Sequence, residues 1–208
     1  EVTDEGGETR SATRAFRRGF VAVEARIDSP LAFLSARQHA ELTVHRSDLD
    51  GIPRAGAGAW RIVELVQPER ALLPADEPVP VAPGAEDRFR TPGDHQRPRW
   101  DTWVEPDSVM ARWSEGREVA AGRLNHGEDG AAAVSLRGLA AGAYRLVYTT
   151  SDDFGATAKA TRNLIVAAPG GCEVALPSLL LAERSSVPVG ETARLLVRSG
   201  LRDQEMVL

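Results

Sequence analysis

Several short patterns in the chain have residue types that could do chemistry. Asp153-Phe154-Gly155 matches the kinase triplet whose aspartate holds magnesium. That chemistry also needs a strand lysine and a catalytic-loop Asp and Asn. The single lysine, Lys159, lies after the triplet, so the order is wrong and a turn is expected. Asp48-Leu49-Asp50-Gly51 has the alternating carboxylates that open a calcium loop, but Ala59 stands where the bidentate glutamate should be. A turn is expected here too. The four histidines, His39, His45, His95 and His126, are scattered, and no two have metal-ligand spacing. If 41–45 is a strand, His45 shares the solvent face with Glu41 and Thr43. Cys172 follows two glycines, and its only ionisable neighbour is Glu173, so no base is in view to activate the thiol. No Gly-x-Ser-x-Gly nucleophile pattern occurs. Arg14, Arg17 and Arg18 form one basic cluster, and Arg88, Arg90, Arg97 and Arg99 form another beside Trp100. Arginine with aromatic stacking could hold a single-stranded nucleic acid. Asp87, Asp94, Asp101 and Glu105 cancel much of the second cluster, which reads as a self-paired loop. No catalytic residue, metal ligand or cofactor is expected, and the chain is not read as an enzyme.

The composition narrows the class of protein. The 208 residues are 42% hydrophobic, 26% charged and 5% aromatic, enough for a sizeable core and too apolar for disorder throughout. No run approaches the roughly 20 apolar residues of a membrane-spanning helix, so no membrane contact is expected of this segment. A net charge of −5 argues against nucleic acid as the main partner. One cysteine excludes a disulfide framework. Glu1 and Leu208 both look like cuts, and the chain is expected to be a piece of a larger protein.

The elements that would position these residues follow a period of two. Residues 1–15 are polar and aperiodic and read as a linker. From 16 to 168 short alternating segments recur: 21–27 (Val21, Val23, Ala25, Ile27), 41–45 (Leu42, Val44), 58–66 (Trp60, Ile62, Val63, Leu65), 119–124, 132–136, 144–148 and 158–167. Asp-Gly and Glu-Asp-Gly turns separate them, because glycine accepts positive φ at no steric cost. Seven such strands predict an all-β sandwich. Residues 67–112 break the rhythm with eight prolines, which cannot donate to a ladder, and read as a long inserted loop. Trp100, Trp103 and Trp113 suggest that this insertion packs down. Pro169-Gly170-Gly171 marks a boundary. Residues 169–208 read as the incomplete start of a second sandwich, with strands at 179–181 and 193–198. In the second of these, Leu195 and Val197 are expected to alternate with Arg194 and Arg198.

Two segments carry a resemblance. Leu136-Arg-Gly-Leu139-Ala-Ala-Gly142-Ala-Tyr144-Arg-Leu146, continued by Thr150-Ser-Asp152-Asp-Phe-Gly155, resembles a strand pair of macroglobulin-like domains. Those domains are seven-stranded fibronectin-type sandwiches. Val187-Pro-Val189-Gly190-Glu191-Thr192-Ala193-Arg194-Leu195-Leu196-Val197-Arg198-Ser199 is similar to the opening of the bait-region domain of bacterial alpha-2-macroglobulins. Val187 and Val189 replace the tyrosine and proline usual in that turn. The resemblance implies an extracytoplasmic scaffold fragment of a broad-range protease inhibitor. Its partners would be proteases, through the full-length protein, and the neighbouring domains of the same chain. In that family a protease cuts an exposed bait, the molecule closes around it, and many members add a Cys–Gln thioester. Cys172 is followed by Glu173, Val174 and Ala175, so it does not match the thioester motif. The family layout puts the bait beyond Leu208. The insertion 67–112 has no counterpart in that layout; its Arg70, Arg88, Arg90, Arg97 and Arg99 are trypsin-type sites that make it a secondary bait candidate, against a packed surface excursion, which its tryptophans favour. A surface adhesion or carbohydrate-binding module is the competing reading, with Trp100 and Trp103 as platforms for sugar rings. An accessory β-domain of a larger hydrolase is the third.

Overall fold

The computed structural model describes residues 1–13, 19, 21–72, 105–170 and 172–201. The first thirteen residues are exposed throughout and hold a small hairpin, β1 (Val2–Thr3) with β2 (Thr9–Arg10). The sandwich strands follow: β3 (Val23–Asp28), β4 (Leu34–Ser35), β5 (Ala40–Asp48), β6 (Gly56–Val66), β7 (Ser114–His126), β8 (Ala131–Leu136), β9 (Gly142–Ser151) and β10 (Thr157–Ala167). A short helix, α1 (Pro106–Ala111), precedes β7, and β11 (Leu179–Ala182) pairs with β12 (Leu195–Arg198) after the sandwich.

One layer is the antiparallel sheet β3-β5-β8, and the other runs β4-β10-β9-β6-β7. Only β4 is parallel to its neighbour, β10, and it contributes two residues at the edge. The seven longer strands therefore divide three and four, which is the all-β sandwich that the strand rhythm predicts. Alternation explains the layers. Leu42 and Val44 of β5, with Val134 beside them on β8, face Ile62 of β6, Leu146 and Tyr148 of β9 and Val166 of β10, all essentially buried. Each such side chain stabilises the fold by about 1.5–3 kcal/mol relative to exposure.

Two contacts position the central strand β9. The Tyr144 hydroxyl donates to the Ala140 carbonyl at 3.1 Å, pinning the β8–β9 crossover where strand β9 begins. The Tyr148 ring lies against Gly58, where a Cβ would collide with the ring and its hydroxyl, so β6 has room for the ring only because residue 58 lacks a side chain. The edge strand β7 carries bulges opposite Ile62–Leu65, which disrupt its outer ladder and discourage edge-to-edge pairing.

The structure differs from the sequence expectation in three places. The insertion 67–112 is not all loop, because α1 lies within it. Pro106 starts that helix where its missing N–H costs nothing. Strand β7 begins at Ser114, five residues before the apolar alternation becomes visible at Val119. In β12 the phase is reversed: Leu196 is buried and Leu195 is 59% exposed. Two adjacent leucines give no period-two signal, and packing against the sandwich decides which one turns inward.

Candidate functional site

The six positions singled out as protease-accessible or ligand-stacking, Arg88, Arg90, Arg97, Arg99, Trp100 and Trp103, lie outside the described residues. The structure does describe both roots of the segment that carries them, and those roots form an extended polar site. The first root leaves β6 at Gln67. Its side-chain amide donates to the Glu173 carbonyl at 3.2 Å and accepts from the Ala175 N–H at 2.7 Å. One glutamine thus pairs with an extended segment as a neighbouring strand would. Ala71 is buried at the end of this root, and Arg70 is exposed.

The second root enters β7 through α1. Its anchor is Arg145, which projects from the outer face of β9 and is 9% exposed. The guanidinium donates to the carbonyls of Met110 at 2.7 Å, Ala111 at 3.1 Å and Trp113 at 3.3 Å. Carbonyls at a helix C-terminus lack intrahelical partners and sit at the negative end of the helix dipole, so a cation there satisfies both. Arg145 also donates to Asn163 Oδ1 at 2.9 Å, and the Asn163 amide donates to Asp107 Oδ1 at 3.0 Å. Both ends of α1 are therefore fixed to β9 and β10. Glu115 lies 3.9 Å from Arg145 and 2.5 Å from Arg61. The hydrogen bond from Arg61 holds its carboxyl below the usual range, helped by the charges of Arg61, Lys159 and Arg145 against a smaller cost of burial.

Beneath these bonds is a second apolar cluster, on the outer face of the five-stranded sheet. Leu65, Ala143 and Ile165 supply the sheet side. Met110 and Trp113 come from the second root, and Cys172, Val174, Leu176, Leu179 and Leu196 from the segment after the boundary. That segment is tied down further by the Ala32 N–H to Glu183 carbonyl bond at 2.8 Å and by the bond from Arg194 to Ser35 Oγ at 3.2 Å, while the Arg194–Glu183 ion pair braces it internally. An open groove of about 580 Å³ runs where the first root meets it, lined by Gln67, Arg70, Cys172, Ala175, Arg198 and Gly200. Burial pushes the Cys172 thiol up, with the Arg198 charge opposing, so it is held as the thiol.

Of the remaining sequence candidates, Arg14, Arg17, Arg18 and His95 lie outside the described residues, and the others resolve into structural roles. Asp48 Oδ1 accepts the N–H groups of Asp50 and Ile52, and Oδ2 pairs with Arg54 at 2.8 Å, which is a turn. Asp152 Oδ1 likewise accepts from Phe154 and Ala156. His45 lies on the solvent face beside Asp28, and His39 bonds Ser135. Among the described residues no three His, Cys, Asp or Glu side chains converge to hold a metal. No described helix is long and apolar enough to cross a membrane. Sequence reasoning missed Gln67, Arg145 and Asn163. An arginine flanked by Tyr144 and Leu146 reads as an ordinary solvent-facing strand residue, and nothing local says that a helix will cover it.

No family model and no curated protein matches the chain. Two solved structures of Escherichia coli alpha-2-macroglobulin are similar to it. The native conformation, seen by cryo-electron microscopy, is 10% identical with a TM-score of 0.40, over 85% of this chain and 10% of that one. The form activated by porcine elastase is 14% identical with a TM-score of 0.39, over 80% of this chain and 14% of that one. The chain thus spans about a tenth to a seventh of the proteins it matches.

Proposed function

We propose that the chain is a scaffold module of an alpha-2-macroglobulin-like protease inhibitor, working outside the cytoplasm and without catalysis of its own. The observation that carries the reading is the double clamp on the insertion. Gln67 fixes one root to the segment 173–175, and Arg145 with Asn163 fixes the other to the sheet. A protein that answers to cleavage must lose one peptide bond and keep its frame. Roots held independently of the intervening residues supply that property. The resemblance of Leu136–Gly155 and Val187–Ser199 to macroglobulin-like and bait-region segments points the same way. In this reading the protease acts on a bait beyond Leu208, with the stretch carrying Arg88, Arg90, Arg97 and Arg99 as a second cleavable region. Residues 169–208 open the next domain of the same protein, and the clamp couples that domain to the insertion.

The test uses the full-length parent with trypsin and with elastase. The first cut is mapped by mass spectrometry, and residual protease activity is followed on a large and a small substrate. The reading requires one early cut, with loss of activity on the large substrate and retention on the small one. Slow, scattered cutting with both activities intact would refute it.

A further inference from the structure

One end of the sandwich, remote in function from the clamped roots, is built around a single buried cation. Arg46 is the inward-facing residue that follows Leu42 and Val44 in β5, and it is 5% exposed. Its guanidinium donates to the Arg54 carbonyl at 3.3 Å, the Ala55 carbonyl at 2.5 Å, the Ser151 carbonyl at 3.0 Å and Thr150 Oγ1 at 3.1 Å. It therefore ties the β5–β6 loop to the root of the β9–β10 turn. The β7–β8 turn joins the same assembly, because the Arg46 N–H donates to the Gly130 carbonyl at 2.7 Å. The buried Asp152 carboxylate completes it. One oxygen accepts the Ala22 N–H at 2.8 Å, and the other holds the turn from inside.

This framework presents two large apolar side chains to water. Phe154 at the tip of the β9–β10 turn is 89% exposed, and Ile52 of the β5–β6 loop is 54% exposed. The same three loops carry the exposed carboxylates of Asp50, Glu128, Asp129 and Asp153. Among the described residues of these three loops the one exposed cation is Arg54, and it is paired with Asp48. A turn backbone held from inside by Asp152 has little conformational freedom left to lose on binding, which favours the aromatic at its tip as an anchor. The acidic rim sets the sign of the partner by charge complementarity.

We infer that this loop end is a protein-docking surface whose partner offers an apolar pocket for Phe154, rimmed by arginine or lysine. The inference does not depend on the inhibitor reading and could stand if that reading fell. The probe is a displayed library of random peptides panned against the whole 208-residue chain, with enriched peptides then titrated against variants. Enriched peptides should combine Arg or Lys with Leu, Phe or Trp. Their affinity should fall at least tenfold in Phe154→Ala, fall further in Asp153→Asn with Glu128→Gln, and weaken as salt rises. The melting temperature of Phe154→Ala should match the parent, since the ring is solvated. No enrichment, or peptides indifferent to Phe154→Ala, would overturn the inference. Peptides that need Phe154 but are neutral and salt-independent would overturn the assigned kind of partner.

Discussion

His126 is the residue whose protonation the fold most plainly opposes. It is 5% exposed, its Nδ1 bonds the Gly130 carbonyl at 2.9 Å, and its Nε2 bonds the Tyr148 hydroxyl at 2.7 Å. A neutral ring with Nδ1–H satisfies both contacts. Burial lowers its pKa below the ordinary value, and the charge of Arg46 adds to that. The Gly130 bond and Asp129 oppose the shift, and His45 contributes a small lowering. The sign follows from proton binding: below about pH 6.5 the unfolded chain takes a proton that the folded chain resists. The His126 contribution to stability is complete above that pH and is lost as pH falls through the window beneath it. Urea midpoints measured between pH 5 and 7.5 should decline toward acid, and His126→Gln should flatten the slope. An unchanged slope would dispose of this assignment. At Tyr144, removing the hydroxyl with Tyr144→Phe leaves the Ala140 carbonyl short of a partner and should cost about 1 kcal/mol in equilibrium unfolding. Tyr144 was legible in the sequence from its place after Gly142. Arg46 was not singled out, although the phase of Leu42 and Val44 puts residue 46 on the inner face. A basic residue there is read by habit as the end of the strand.

At the scale of elements, the strands were legible and their covers were not. Period-two alternation located β3, β5, β6, β8, β9 and β10 because one face of each meets the apolar core between the sheets. It could not show that the outer face of the second sheet is also covered, since Leu65, Ala143 and Ile165 are too few to look like a second pattern. Helix α1 was illegible for a related reason. Six residues hold less than two turns, and their stability comes from Arg145 and the cluster below, not from sequence propensity. Arg145→Met should therefore release α1 while leaving the sandwich paired. Removing the cation takes its hydrogen bonds from the Ala111 and Trp113 carbonyls, leaves Met110 only the Trp113 N–H, and costs about 3 kcal/mol. Hydrogen exchange should rise at 107–113 and stay protected in β6, β9 and β10. Exchange rising evenly across the sheet would show that the arginine supports the sandwich and not the root.

For the whole molecule, the arrangement is a sandwich with one face of its larger sheet covered by three pieces of chain: Phe33 before β4, the second root and the segment from Cys172 onward. The sequence marked Pro169-Gly170-Gly171 as a boundary because composition changes there, and composition does not report that the flanking segments pack on one cluster. Cys172 lies in that cluster, and its raised pKa and burial predict no alkylation by iodoacetamide in the native state at neutral pH. Prompt labelling would mean that the segment after the boundary is not docked. The most direct test of the clamped-root account is limited tryptic cleavage of the 208-residue chain, followed by mass mapping and thermal melting by far-ultraviolet circular dichroism. The expected result is a first cut at Arg88, Arg90, Arg97 or Arg99, with the two fragments staying together and the β-sheet melting transition within a few degrees of the intact chain. Loss of the cooperative transition after that single cut would contradict the account, because the roots would then depend on the residues between them.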